Sequence, residues 1–139
     1  MRRDGLLHAE LLGLLAALGH GQTIVVADAG LPVPPGVRRI DLAVTPGLPG
    51  FLPVLEAVTG AMVVEGATVA EELARGNASL LESVRRLLGP GVRVEAVPHE
   101  ELKRLSGLAA AVVRTGEFTP YANVLLRAGV AFGPASGGR

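Results

Sequence analysis

Five polar residues could do chemistry at the ends of the chain's structural elements: His20, Asp28, His99, Tyr121 and Asn123. Histidine, with an unperturbed pKa of about 6.5, exchanges protons near neutrality and is the natural acid/base candidate. His20 and Asp28 bracket Thr23-Ile24-Val25-Val26-Ala27, a β-branched apolar run of the kind that forms a strand covered on both faces. Asp28 thus falls at the carboxyl end of a strand, where open α/β sheets usually bind ligands. Each of the five also has a plain structural role open to it. His20 can stop a helix by donating to backbone carbonyls, with Gly19 ahead of it in a left-handed conformation. Asp28 can close an Asx-turn on Gly30, and His99 can simply begin a helix after Pro98. Tyr121 and Asn123 alternate about Ala122, which in an extended segment points both side chains to one face. Tyr121 can be a core filler with a wet hydroxyl. Asn123 is harder to place in a core, because its amide has several hydrogen-bonding groups to satisfy.

Other chemistries lose their support. The chain has no G-x-x-x-x-G-K-[ST] phosphate loop, no G-x-G-x-x-G, no G-x-S-x-G and no H-E-x-x-H. It has no cysteine, which removes disulfides, thiolate metal sites and thiol nucleophiles. His8, His20 and His99 are too widely spaced to suggest a zinc site. Lys+Arg and Asp+Glu balance at 13 each and only Phe51, Phe118, Phe132 and Tyr121 are aromatic, so neither a phosphate-tracking surface nor a base-stacking platform is visible. Nucleic acid is therefore not an expected partner.

The elements that must position the five residues alternate. Leu7, Leu11, Leu14, Leu15 and Leu18 recur at helical spacing and predict a first helix over 6–18, with His8 as a solvated residue on it. After the first strand, Leu31-Pro32-Val33-Pro34-Pro35-Gly36 is an extended surface loop that could wall a pocket. A second strand is expected over 39–44, a turn over 46–50 and a helix over 51–59, where Pro53 is tolerable in the first turn. Residues 62–72 read as one long strand, although their second half suits a helix equally. Asn77 or Ser79 can cap the next helix, which ends near Gly89-Pro90-Gly91; a strand over 92–97 and a short helix from His99 follow. Strands over 110–114 and 123–126 flank a loop over 115–120, and 133–139 is small and polar enough for a flexible tail. This alternation predicts one domain over 1–139, a three-layer α/β/α sandwich on a largely parallel mixed sheet.

The amino-terminal stretch has no clean signal-peptide core or spanning segment, so a cytoplasmic protein with no membrane association is expected. Hydrophobic residues make up 49% of the chain against 19% charged, an excess that suggests surface buried between subunits of a homo-oligomer.

Taken in order, Gly19-His20, Val25-Val26-Ala27-Asp28-Ala29-Gly30-Leu31-Pro32, Arg39-Ile40-Asp41-Leu42-Ala43-Val44-Thr45, Val69-Ala70-Glu71-Glu72 and Pro120-Tyr121-Ala122-Asn123 closely resemble the D-ribose pyranase family of bacterial ribose operons. The resemblance runs over nearly the whole chain without large gaps. It implies a cofactor-free isomerase that interconverts the pyranose and furanose forms of ribose in a ring-shaped homo-oligomer with sites at subunit interfaces. It also implies His20 as the acid/base residue and Asp28, His99 and the Tyr121-Ala122-Asn123 segment as sugar-binding, with no metal. The related L-fucose mutarotases share the fold and the histidine/aspartate pairing, but Ala29-Gly30-Leu31-Pro32 sits better with the pyranase branch. Gly21-Gln22 after the histidine, Phe118 in the loop and the Gly-rich end are mild departures. Two alternatives stand beside the pyranase: a mutarotase exchanging sugar anomers, and a sugar-binding subunit without turnover.

The chemistry suits these residue types. Opening a cyclic hemiacetal delivers a proton to the ring oxygen while the anomeric hydroxyl loses one, and closing through another hydroxyl changes the ring size. A histidine can serve both directions. Carboxylate, amide and phenol groups orient the sugar through its hydroxyls.

Overall fold

A computed structural model describes residues 1–133; most of the expected flexible tail, 134–139, lies outside the described residues. Six strands form one sheet in the order β2-β5-β1-β6-β3-β4. They are β1 (Thr23–Ala27), β2 (Arg38–Asp41), β3 (Val64–Ala70), β4 (Arg93–Val97), β5 (Ala111–Arg114) and β6 (Val124–Ala128). β1 and β2 run parallel to β5, and β3 runs parallel to β4. β6 runs antiparallel to both of its neighbours, β1 and β3. Five strands therefore share a direction, and their carboxyl ends gather on one edge of the sheet together with the start of β6.

β1 shows why the sheet is buried on both faces. Ile24 and Val26 belong to one apolar cluster and Val25 and Ala27 to the other, as the alternation of side chains along a strand requires. The larger cluster lies under α1 (Ala9–Ala17), α2 (Phe51–Thr59), α3 (Glu71–Gly76) and α4 (Ala78–Leu88), through Leu11 and Leu15, Phe51 and Leu55, Leu73, and Val84. The smaller cluster is covered by Leu102 and Leu105 of α5 (His99–Ser106), and by Leu31 and Val33 from the proline-rich loop. The expected three layers are present. Full burial of a side chain such as Leu11, Leu55 or Leu102 contributes about 1.5–3 kcal/mol of transfer free energy. The mixed, largely parallel sheet is as expected.

Several boundaries differ from the sequence reading. α1 begins at Ala9 rather than residue 6, because His8 caps it: its Nδ1 accepts from Leu11 N at 3.2 Å. Leu7 is consequently exposed ahead of the helix, off the stripe it was assigned to. The helix ends at Ala17 with Leu18 extended, and the left-handed residue is Gly21 (φ 84°), not Gly19. The expected long strand over 62–72 stops at Ala70, where α3 takes over and buries Leu73. Asn77, not Ser79, caps α4 by accepting from Leu80 N at 3.1 Å. β2 ends at Asp41, whose carboxylate accepts from Ala43 N at 3.0 Å and bends the chain out of the sheet.

A long-range tie closes the amino end of α2. Gly50 offers no capping side chain, and Glu117 supplies the missing acceptor: its Oε1 accepts from Phe51 N at 2.9 Å and its Oε2 from the Thr119 hydroxyl at 2.7 Å. The Phe51 bond first, and the Thr119 hydroxyl next, hold the Glu117 carboxyl below its ordinary value of 4.5. A carboxyl whose pKa is depressed by folding stabilises the native state above the unfolded-state pKa and ceases to do so as pH falls through the folded-state value. Glu117→Gln is therefore expected to cost about 1 kcal/mol at pH 7, where a charge-assisted bond becomes a neutral one. The gap should close when urea unfolding is repeated below the carboxylate range. A gap that persists unchanged in acid would contradict the charged cap.

Candidate functional site

The carboxyl edge of the sheet brings together Asp28 after β1, His99 after β4, and Tyr121, Ala122 and Asn123 before β6. Asp28 and Asn123 form a reciprocal pair. Asp28 N donates to Asn123 Oδ1 at 2.8 Å, and Asn123 Nδ2 donates to Asp28 Oδ2 at 3.1 Å. Asn123 is fully buried, so a polar side chain stands in the core because Asp28 satisfies it. The other Asp28 oxygen accepts from Gly30 N at 3.0 Å. The Asx-turn is thus real, and it holds the carboxylate in place at the mouth of a pocket.

Tyr121 and Asn123 do not share a face, contrary to the reading of an extended segment. Tyr121 has φ 64° and sits in a tight turn in which Asn123 N donates to Tyr121 O at 2.8 Å. The left-handed region is uncommon for a large side chain and persists only where surroundings impose it. Here the turn sends Asn123 inward and leaves Tyr121 partly exposed, edge-on to the His99 ring with centroids 5.0 Å apart at 79°. Ala122, between them, is fully buried.

His99 opens α5. Its backbone N donates to Glu72 Oε1 at 3.0 Å, whereas its ring Nδ1 is buried with no hydrogen-bond partner. The Glu72 carboxyl is held below its ordinary value by its own backbone N–H first, and by the bond from His99 as well. A histidine ring edge-on to a phenol beside a pocket can bond a ligand's hydroxyls. Asp28, His99, Tyr121 and Lys103 line a cavity of about 270 Å³, with Leu31-Pro32 and Pro120 as walls. Lys103 Nζ lies 2.9 Å from Glu100 Oε1. On the other side of Asp28 a second cavity of about 400 Å³ is lined by Arg114, Glu117 and Phe118. Arg114 fixes its floor by donating to Ala29 O at 3.0 Å and to both carboxylate oxygens of Asp41 at 3.1 and 3.2 Å.

His20 is not with them. It precedes β1, and the five residues of that strand, at ~3.3 Å each, place it roughly 15 Å or more from Asp28 on the opposite edge of the sheet. There its Nε2 donates to Glu65 Oε1 at 2.7 Å. The sequence reading missed Glu65, Glu72, Lys103 and Glu117. Only Glu72, inside the Val69-Ala70-Glu71-Glu72 string, carried any signal. Among the described residues no group of three or more His, Cys, Asp or Glu could hold a metal ion, and no helix is long and apolar enough to cross a membrane.

A mixed sheet that gathers aspartate, histidine and tyrosine from its strand ends around a small cavity fits the class of α/β proteins that bind small polar ligands. The chain belongs to the RbsD / FucU transport protein family, whose model matches residues 1–131. It is 54% identical over 132 residues to the D-ribose pyranase of Symbiobacterium thermophilum, covering 95% of this chain and all of that protein. Among solved structures it is similar to Bacillus subtilis RbsD complexed with D-ribose, at 45% identity and TM-score 0.90 over 95% of this chain and all of that one. It shares its fold with a Streptococcus pneumoniae fucose mutarotase in complex with L-fucose, at 23% identity and TM-score 0.64, with 88% and 93% of the two chains covered.

Proposed function

We propose that this chain is a D-ribose pyranase, an isomerase that interconverts the pyranose and furanose forms of D-ribose by acid/base ring opening. The observation that carries the reading is the near-complete match to a ribose-complexed protein, combined with the convergence of Asp28, His99 and Tyr121 on one cavity. Opening the ring breaks the bond from the anomeric carbon to the ring oxygen. The ring oxygen gains a proton, the anomeric hydroxyl loses one, and its electrons form the carbonyl. Closure through a different hydroxyl reverses these steps. Only protons move and C–O bonds exchange, so the chemistry calls for neither a redox cofactor nor a metal.

In this reading Asp28, His99 and Tyr121, which line one cavity, hold the sugar by its hydroxyls. Asn123 acts through Asp28, whose backbone N–H and carboxylate its buried amide holds, and buried Ala122 sets the turn that leads to it. His20 is the acid/base residue and reaches the sugar from a neighbouring copy. Two exposed apolar surfaces support a head-to-tail ring of identical subunits. Val63, Val130 and Phe132 surround the His20 edge, where a cavity of about 410 Å³ opens between Leu18, Met62 and Gly129, and Val44, Leu48 and Phe118 stand at the Asp28 edge. Heterologous contact between unlike edges closes into a ring when the rotation permits. A cytoplasmic location goes with a ribose-handling isomerase.

Saturation-transfer NMR on D-ribose tests the activity. Pyranose–furanose exchange faster than the uncatalysed rate is expected; exchange of α and β anomers alone would indicate a mutarotase, and binding without exchange a sugar-binding subunit. Asp28→Ala and Asn123→Ala are expected to weaken ribose affinity together with rate, because the bonds they remove orient the sugar in ground and transition states alike. Titration calorimetry beside NMR exchange checks this. A variant that loses rate with unchanged affinity would remove that residue from the binding set.

A further inference from the structure

Glu65 touches none of the sugar-binding residues, yet the backbone goes out of its way to place it. Along β3 the pairing with β6 slips at this residue: Val64 pairs with Ala128, whereas Gly66 pairs with Arg127. Such a bulge leaves one residue outside the ladder and re-aims its side chain. Glu65 Oε1 thereby meets His20 Nε2 at 2.7 Å, across 45 residues of sequence.

Both partners are anchored to the same end of β6. On the histidine side, Gly21 N donates to Ala128 O and Ala128 N to Gln22 O, each at 2.8 Å. The Gln22 side chain closes the turn by accepting from Gly19 N at 2.6 Å. On the glutamate side, Gly129 N donates to Val63 O at 2.9 Å. The Glu65 stem then lies against Gly129 so closely that a Cβ there would stand 3.2 Å from Glu65 Cβ and 3.2 Å from Val63 Cγ1. Exposed ion pairs between two mobile side chains contribute little. This pair differs in that a bulge and a hydrogen-bonded turn anchor the backbone on both of its sides.

We propose that Glu65 is a positioning residue for His20, a role that rests on the reading of His20 as the acid/base group. A carboxylate only accepts, so the hydrogen bond fixes the neutral imidazole with its proton on Nε2 and its lone pair on Nδ1. Nδ1 is then the atom turned towards the sugar of the neighbouring site. It takes the proton of the anomeric hydroxyl as the carbonyl forms, and the imidazolium so produced keeps its Nε2–H on the Glu65 carboxylate. The imidazolium hands that same proton from Nδ1 to the ring oxygen as the bond from that oxygen to the anomeric carbon breaks. One proton is shuttled, none is gained or lost overall, and His20 ends neutral as it began. Geometry and charge act together: the hydrogen bond favours one orientation of the ring, and its cationic form faces an anion.

The test compares Glu65→Ala, Glu65→Gln, His20→Ala and the double variant His20→Ala/Glu65→Ala, with assembly state checked by light scattering. Glu65→Ala is expected to slow pyranose–furanose exchange by about 10- to 100-fold, the scale of a misplaced reacting group. Ribose affinity should stay within about twofold, since the interaction acts on the transition state. Glu65→Gln keeps the shape and an acceptor oxygen, so it should lose less, about three- to tenfold, because a neutral bond replaces a charge-assisted one. It also serves if the alanine variant fails to assemble. In the His20→Ala background, removing Glu65 should cost nothing further, because a residue acting only through its partner is non-additive with it. The proposal is overturned if either single variant exchanges at the parental rate, if affinity falls in step with rate, or if the double variant is slower than His20→Ala. Full exchange in His20→Ala itself would instead overturn the acid/base reading beneath it.

Discussion

His20→Ala is expected to lower pyranose–furanose exchange by about 100-fold or more while ribose affinity changes only a few-fold, in line with the contribution of a positioned general acid/base. The reason lies in where the residue stands. His20 is on the edge of the sheet opposite Asp28, in a turn whose backbone bonds to β6 do not involve its ring. Losing the imidazole leaves β1, the Asp28–Asn123 pair and the cavity beside His99 untouched, so the seat of the sugar survives. The group that changes protonation state is gone. Asp28→Ala and Asn123→Ala belong to the other class, in which affinity and rate fall together. Plotted as affinity against exchange rate, the two classes separate, and NMR exchange with titration on each variant supplies both axes. Near-parental exchange in a folded, assembled His20→Ala protein would sink the assignment, and His99, with its unpaired buried Nδ1, would be the next candidate.

The parts of this fold that were legible in the sequence are those in which local pattern and burial agree. Thr23–Ala27 is apolar and β-branched because both of its faces are covered, and the sheet placed it at its centre, between β5 and β6. Phe51–Thr59 kept its expected bounds because Pro53 sits where no donor is needed. Residues 62–72 were ambiguous by composition, and tertiary packing decided them. Leu73 reaches the core only if the chain turns helical after Ala70. Asp28 and His99 were visible because strand ends can be located from the sequence. What was not visible depends on backbone irregularity or on distant partners. The left-handed Tyr121 breaks the period-two rule within the string that carries the family likeness, so side-chain direction was misread there. Glu65 looks like any charged residue in a strand until the bulge is seen. Glu117 caps a helix 66 residues away, a relation no capping motif encodes.

The separation of His20 from Asp28 leads to the most demanding prediction, that inactive subunits will restore one another. If each site takes His20 from one copy and Asp28 from the next, a subunit carrying His20→Ala still offers an intact sugar pocket, and one carrying Asp28→Ala still offers an intact histidine. Mixed singly, neither variant has a complete site. When the two are unfolded together in equal amounts and reassembled, each site draws its histidine and its aspartate independently, so about a quarter of sites in a randomly mixed head-to-tail ring regain both. Exchange should rise from about 1% or less to about 25% of the parental rate, since a general acid/base residue accounts for a 100-fold or larger factor. The rise should need co-assembly; mixing the two proteins after each has assembled alone should give none until subunits exchange. A site built within one chain forbids this outcome, because every chain in the mixture carries one lesion. Saturation-transfer NMR on the reassembled mixture, with its mass checked by light scattering, decides between the two architectures. Activity that remains at the level of the separate variants would return His20 to its own subunit and require a motion bringing it past the length of β1.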